Sequence, residues 1–92
     1  MLAVRLHKDG LTVEEIEAPT PRPDEALVRV HAAAITRGEL EWPVDRLPAI
    51  PSYELSGVLV DSGDEVYALT PFDRDGVAAE YALVPERALA PK

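Results

Sequence analysis

Asp64-Glu-Val-Tyr-Ala-Leu-Thr-Pro-Phe-Asp-Arg-Asp-Gly-Val-Ala-Ala-Glu-Tyr-Ala-Leu-Val-Pro85 reads as strand, turn and strand. Residues 65–69 form one strand. Asp73-Arg-Asp-Gly76 has the composition of a turn, and residues 76–84 return as a further strand. Just upstream, residues 55–60 are nearly all apolar, as expected of a strand covered on both faces. Asp61-Ser-Gly-Asp64 is turn chemistry in which Gly63 is free to take a positive φ, so 55–60 and 65–69 pair as a hairpin.

The pattern extends towards the N-terminus. Residues 2–6 read as a first strand. Residues 11–18 read as a second, bulged where Glu14 and Glu15 fall together and stopped by Pro19, Pro21 and Pro23. Residues 26–33 alternate cleanly, with Val28, Val30 and Ala32 on one side and Leu27, Arg29 and His31 on the other. One helical turn is predicted over 36–40, capped by Thr36, and another over 85–89. Three prolines make 42–51 irregular or extended. Six short strands joined by turns predict a mainly β chain, a barrel or sandwich, and nine prolines disfavour long helices.

Ninety-two residues make one domain, 1–92, with a thin core. The formal net charge of −8 disfavours nucleic acid, whose phosphates need basic partners, and equally an anionic membrane surface. The chain has no cysteine, which excludes disulfides, thiolate catalysis and Cys-ligated zinc, and suits a reducing cytoplasm. No run approaches the ~20 apolar residues of a membrane-spanning helix.

Four pieces in order carry a family resemblance. Met-Leu-Ala-Val-Arg-Leu-His-Lys8 resembles the opening strand of the GroES-like domain in medium-chain dehydrogenase/reductases. Ala26-Leu-Val-Arg-Val-His-Ala-Ala-Ala34 resembles the strand leading to that family's active-site loop. Leu47-Pro-Ala-Ile-Pro-Ser-Tyr-Glu-Leu-Ser-Gly-Val58 is similar to its Pro-Gly-His-Glu-x-Ser-Gly-Val segment, and Asp75-Gly-Val-Ala-Ala-Glu-Tyr81 to its Asp-Gly-Ala-x-Ala-Glu-Tyr segment. The resemblance implies a GroES-like, partly open barrel of short strands with one or two helical turns, in the zinc-free quinone-oxidoreductase branch. It also implies a Rossmann domain, and a returning segment that completes the barrel. Neither is represented in these 92 residues, so an open edge strand is expected. No Gly-x-Gly-x-x-Gly occurs; Gly10, Gly38, Gly57, Gly63 and Gly76 are isolated.

The departures bear on chemistry. Where zinc-type members resembling this chain place a Cys, Thr36 stands. Where they place Gly-His before Glu, Ser52 and Tyr53 precede Glu54. Two histidines, His7 and His31, in separate strands do not make a zinc site. By the resemblance, Thr36 and Glu39 border a nicotinamide and substrate cleft as hydroxyl donor and carboxylate. Their spacing is equally that of a helix N-cap with a first-turn acid. Tyr53 is a candidate proton donor to a developing oxyanion, or an aromatic that packs its ring. Glu54 orients a neighbour or pairs with Arg37 or Arg46. Trp42 anchors a loop or marks an interface. His7 and His31 are expected to face solvent. Ser52, Ser56 and Ser62 lack any nucleophile-elbow pattern.

Two readings follow. One is the substrate-side domain of a zinc-free NAD(P)H-dependent quinone or enone oxidoreductase, inactive alone, with NADPH supplied only through a Rossmann partner chain. The other is a stand-alone small-molecule-binding or protein-assembly module that reuses the barrel and self-associates as a homodimer.

Overall fold

The computed structural model describes residues 1–35, 47–72 and 74–92. Strands β1 (Leu2–His7) and β2 (Gly10–Glu15) form a two-stranded hairpin. Strands β3 (Glu25–Ala33), β4 (Glu54–Leu59), β5 (Glu65–Leu69), β6 (Tyr81–Pro85) and β7 (Leu89–Pro91) form an antiparallel sheet in the order β6-β3-β4-β5-β7. The sheet curls into a half-barrel, and the mainly β expectation holds. A single 3-10 turn, Glu86–Ala88, sits between β6 and β7, where the sequence predicts a helical turn. The turn expected over 36–40 lies outside the described residues. No helix among the described residues is long and apolar enough to cross a membrane.

The hairpin reaches the sheet through β1, which bridges to Ala79 and Ala49. The amide of Val4 donates to the Ala78 carbonyl at 2.8 Å, and that of Leu6 to the Ala49 carbonyl at 2.6 Å. Two small apolar clusters form among the described residues. The larger centres on Val28, Val77 and Val84, all essentially inaccessible, with Leu55 and Val66 beside them. The smaller joins Ala3, Ile50 and Ala78 under the hairpin. Full burial of each aliphatic side chain contributes about 1.5–3 kcal/mol, so short strands with few such residues depend on the long-range pairings between them.

Five sequence expectations are corrected. First, β2 carries no bulge. Its register with β1 runs unbroken from Leu2↔Glu15 to His7↔Gly10, because a two-residue turn at Lys8 and Asp9 sets it. Second, the irregularity lies in β3 between Val30 and Ala32. The extra residue reverses the alternation, so Ala33 packs on the larger cluster while Ala32 is exposed. Third, only residues 81–84 of the expected 76–84 strand pair with β3, and the pairing continues to Pro85. Residues 76–78 are held instead by residues 50–52. Fourth, β7 was not foreseen; it covers the outer edge of β5 over Val66↔Pro91 to Ala68↔Leu89. Fifth, β4 is central through its pairing with β3 and β5 but is not covered on both faces. Its burial alternates, and Val60 just beyond it is exposed. Gly63 does take the positive φ its turn needs, at 78°.

Candidate functional site

Residues 50–54 and 75–78 are the two halves of one pinch. Pro51 has no amide donor to offer, and the carbonyls of the first half are used by the second. The Leu47–Pro48 peptide is cis. The Ile50 carbonyl accepts from the Gly76 amide at 2.7 Å, that of Ser52 from Val77 at 2.8 Å, and that of Pro51 from Ala78 at 3.1 Å. Asp75 closes the zipper from the other side, its Oδ1 accepting from the Ile50 amide at 3.0 Å. Backbones this close require glycine at 76.

Ser52 occupies the position where the family pattern has glycine, and it shows why. Its φ is 77°, in the left-handed region, and its side chain is fully buried. The hydroxyl lies 2.6 Å from the Ala34 carbonyl oxygen and 3.2 Å from that of Glu54. Ala34 is two residues before Thr36, so this contact fastens the exit of β3 to the residue before Tyr53.

Tyr53 is half-buried, and its ring meets the exposed Phe72 edge-on, with centroids 5.0 Å apart at 85°. Its carbonyl accepts from the Thr70 amide at 2.8 Å, which places the aromatic pair at the end of the β4–β5 hairpin. Thr36 and Glu39, the other candidates, lie outside the described residues, as do Arg37, Trp42 and Arg46. Glu54 is exposed at the start of β4. His31 is exposed beside the β3 irregularity.

A cleft of about 610 Å³ went unnoticed in the sequence. Its walls include Ile16, Pro19, Ile50 and Leu83, and Glu25, Arg74 and Asp75 also line it. Arg74 Nη1 donates to Glu25 Oε2 at 2.8 Å, and the Glu25 side chain is only 14% exposed. Forty-nine positions separate the two residues, and no local pattern signals such a pairing.

The polar side of the hairpin holds a second cluster. Glu14 accepts from the Thr12 hydroxyl and is paired with the His7 ring and with Arg5, whose Nη1 is 3.3 Å away. The Thr12 bond first, then the His7 bond, lower the Glu14 carboxyl from its usual 4.5 to about 2; burial opposes this, and the nearby charges of His7 and Arg5 add smaller lowering effects. His7 is thus 38% exposed but engaged. Among the described residues no group of three His, Cys, Asp or Glu is arranged to hold a metal ion.

No family model matches the chain. Individual proteins do. It is 34% identical over 90 residues to an alcohol dehydrogenase of Moraxella sp. (strain TAE123), covering 89% of this chain and 27% of that protein. It is 34% identical over 98 residues to a probable zinc-binding oxidoreductase, mitochondrial, of Arthroderma benhamiae, covering 89% and 30%. The quinone oxidoreductase from Thermus thermophilus superposes with a TM-score of 0.81 at 29% identity, over 99% of this chain and 32% of that one. A putative zinc-dependent alcohol dehydrogenase protein from Rhizobium etli CFN 42 superposes with a TM-score of 0.87 at 25% identity, over 100% and 33%. The curled sheet, the hairpin bridged to it and the 50–54/75–78 pinch therefore define a GroES-like domain of the dehydrogenase kind. The chain belongs to the medium-chain dehydrogenase/reductase superfamily. It spans about a quarter to a third of the length of these relatives. They include both zinc-type and quinone-reducing names, so the branch rests on the residues themselves.

Proposed function

We propose that these 92 residues form the substrate-side domain of a zinc-independent, NAD(P)H-dependent oxidoreductase of quinones or enones. The observation that carries the reading is the segment Ser52-Tyr53-Glu54. It stands where the zinc-type pattern has Gly-His-Glu, with Tyr53 in place of the histidine, and its Ser52 is held by buried hydrogen bonds. The donor set agrees: there is no cysteine, and His7 is engaged with Glu14. The chain's share of the work is to present Tyr53, and with it Thr36 and Glu39, to the substrate.

The nicotinamide cofactor supplies the hydride in such reactions. The described residues do not fit it: their one helical element is the three-residue turn Glu86–Ala88, and the sequence has no glycine-rich turn to bring amides to a pyrophosphate. NADPH is accordingly assigned to a Rossmann-type domain outside these residues, and the 92-residue chain alone has no reductase activity. A cysteine-free composition also suits a cytoplasmic setting.

The test has two arms. Dialysis against zinc followed by metal analysis is expected to leave no bound zinc; tight stoichiometric zinc overturns the zinc-independent reading. Calorimetric NADPH titration and a quinone- and enone-reduction assay on the purified chain are expected to show neither binding nor turnover. Saturable binding with turnover overturns the assignment of the cofactor elsewhere.

A second reading, a small-molecule-binding module, is favoured by the 610 Å³ cleft with its Glu25–Arg74 pair. A ligand whose binding shifts the resonances of Leu83 and Ile50 while Tyr53 stays unmoved would select it.

A further inference from the structure

The β1–β2 hairpin has an open side that is complementary to itself. The Val4 and Leu6 amides point away from β2, to Ala78 and Ala49. The alternation of an antiparallel ladder then gives the β2-facing groups of β1 to Ala3, Arg5 and His7, and their partners are Glu14, Thr12 and Gly10. The main-chain groups of Leu11, Val13 and Glu15 are left on the outer edge, and no hydrogen bond among the described residues uses their amides. Cross-strand partners share a face, so Val4 with Val13 and Leu6 with Leu11 make one aliphatic side. That side is poorly covered: Val13 is 69% exposed and Leu11 44%. The opposite side carries the Thr12, Glu14, Arg5 and His7 cluster.

We propose that β2 pairs antiparallel with β2 of a second copy about a two-fold axis at Thr12, giving a continuous four-stranded sheet. Only registers that join outward-facing residues can form the ladder. The register with Thr12 opposite itself places Leu11 opposite Val13 of the second copy, twice. It aligns Leu6, Leu11, Val13 of the second copy and Val4 of the second copy in one row across four strands, and the symmetric row beside it. The open edge gains its main-chain bonds, and the exposed aliphatic pair gains a matching pair. In this register Lys8 of the second copy falls opposite Ile16. Asp9 opposite Glu15 and the net charge of −8 on each chain work against association, so added salt strengthens it. The second copy is favoured over an unrelated strand because a single register satisfies the ladder and both aliphatic rows together.

A non-hydrogen-bonded antiparallel pair has Cα atoms about 4.5 Å apart, within the span a disulfide bridges. The chain has no other cysteine, so crosslinking is unambiguous. Under air oxidation Thr12→Cys is expected to become a covalent dimer of doubled mass, while the exposed control Glu65→Cys stays monomeric. Val13→Glu, exposed and away from both apolar clusters, is expected to keep the folded circular dichroism spectrum and to abolish the rise in mass with concentration and salt seen by sedimentation. A chain that stays monomeric at millimolar concentration in high salt overturns the proposal. So does a Thr12→Cys variant that crosslinks no faster than Glu65→Cys, or a Val13→Cys variant that crosslinks faster than Thr12→Cys.

Discussion

A Cβ built on Gly76 would stand 2.1 Å from the carbonyl oxygen of Ser52 and 2.5 Å from that of Pro51. Both obstacles are backbone and neither can swing aside. Gly76→Ala must therefore open the pinch, lengthening the bonds from Gly76 and Val77 to Ile50 and Ser52. We expect a loss of stability on the order of 2–3 kcal/mol, read as a lower urea midpoint with an unchanged slope.

Ser52 invites a paired comparison. Ser52→Ala keeps a side chain at a φ of 77° and removes the hydroxyl from the Ala34 and Glu54 carbonyls. It should cost about 1 kcal/mol, since the buried hydroxyl's bonds to two partly exposed carbonyls are lost. Ser52→Gly loses the same bonds but relieves the left-handed strain, worth about 1 kcal/mol. Glycine should therefore be the milder substitution by urea unfolding, an inversion of the usual order.

Thr70 is buried, and its hydroxyl oxygen has no hydrogen-bond partner among the described residues. Its amide, which does the structural work by donating to Tyr53, is untouched by a change of side chain. Thr70→Val keeps the branched shape and removes the unsatisfied group. The expected result is a melting temperature equal to or above that of the parent, with a gain of up to about 1 kcal/mol.

Glu14 sets an acid limit. Its folded-state value near 2 lies below the usual 4.5, so the carboxylate contributes stability that is fully present above about pH 4.5. That contribution is lost as pH falls towards 2, where the folded chain too takes up the proton. Unfolding measured from pH 2 to 6 should show this decline, and Glu14→Gln should flatten it.

Much of the fold was legible because periodicity and turn chemistry are local. The β4–β5 hairpin is announced by Asp61-Ser-Gly-Asp64, and β3 by its alternation up to Val30. What failed was set by distant partners. Residues 76–80 look like strand, yet the amides of 76–78 are taken by residues 50–52 and that of Glu80 by Leu2. The β3 irregularity leaves no mark on Val30-His-Ala-Ala, and β7 owes its existence to the edge of β5 rather than to its own three residues. Of the candidate site, Tyr53 was found by resemblance, whereas the role of Ser52 follows from a backbone angle that no sequence pattern displays. The cleft escaped for the same reason as residues 76–80: Glu25 and Arg74 meet only once the chain has folded back on itself.

The strand order has a consequence for how the chain reaches this state. β1 with β2 and β4 with β5 are neighbours along the chain and can zip early, within microseconds for a typical hairpin. β6 is different, because Arg29 must meet Tyr81 and Glu25 must meet Pro85 across more than half the chain. Closure of that large loop, with the arrival of Val84 against Val28, is the late and slow event. Until it happens the edge of β3 that β6 covers stays open, and a nascent or heat-stressed copy is most exposed to aggregation at that stage.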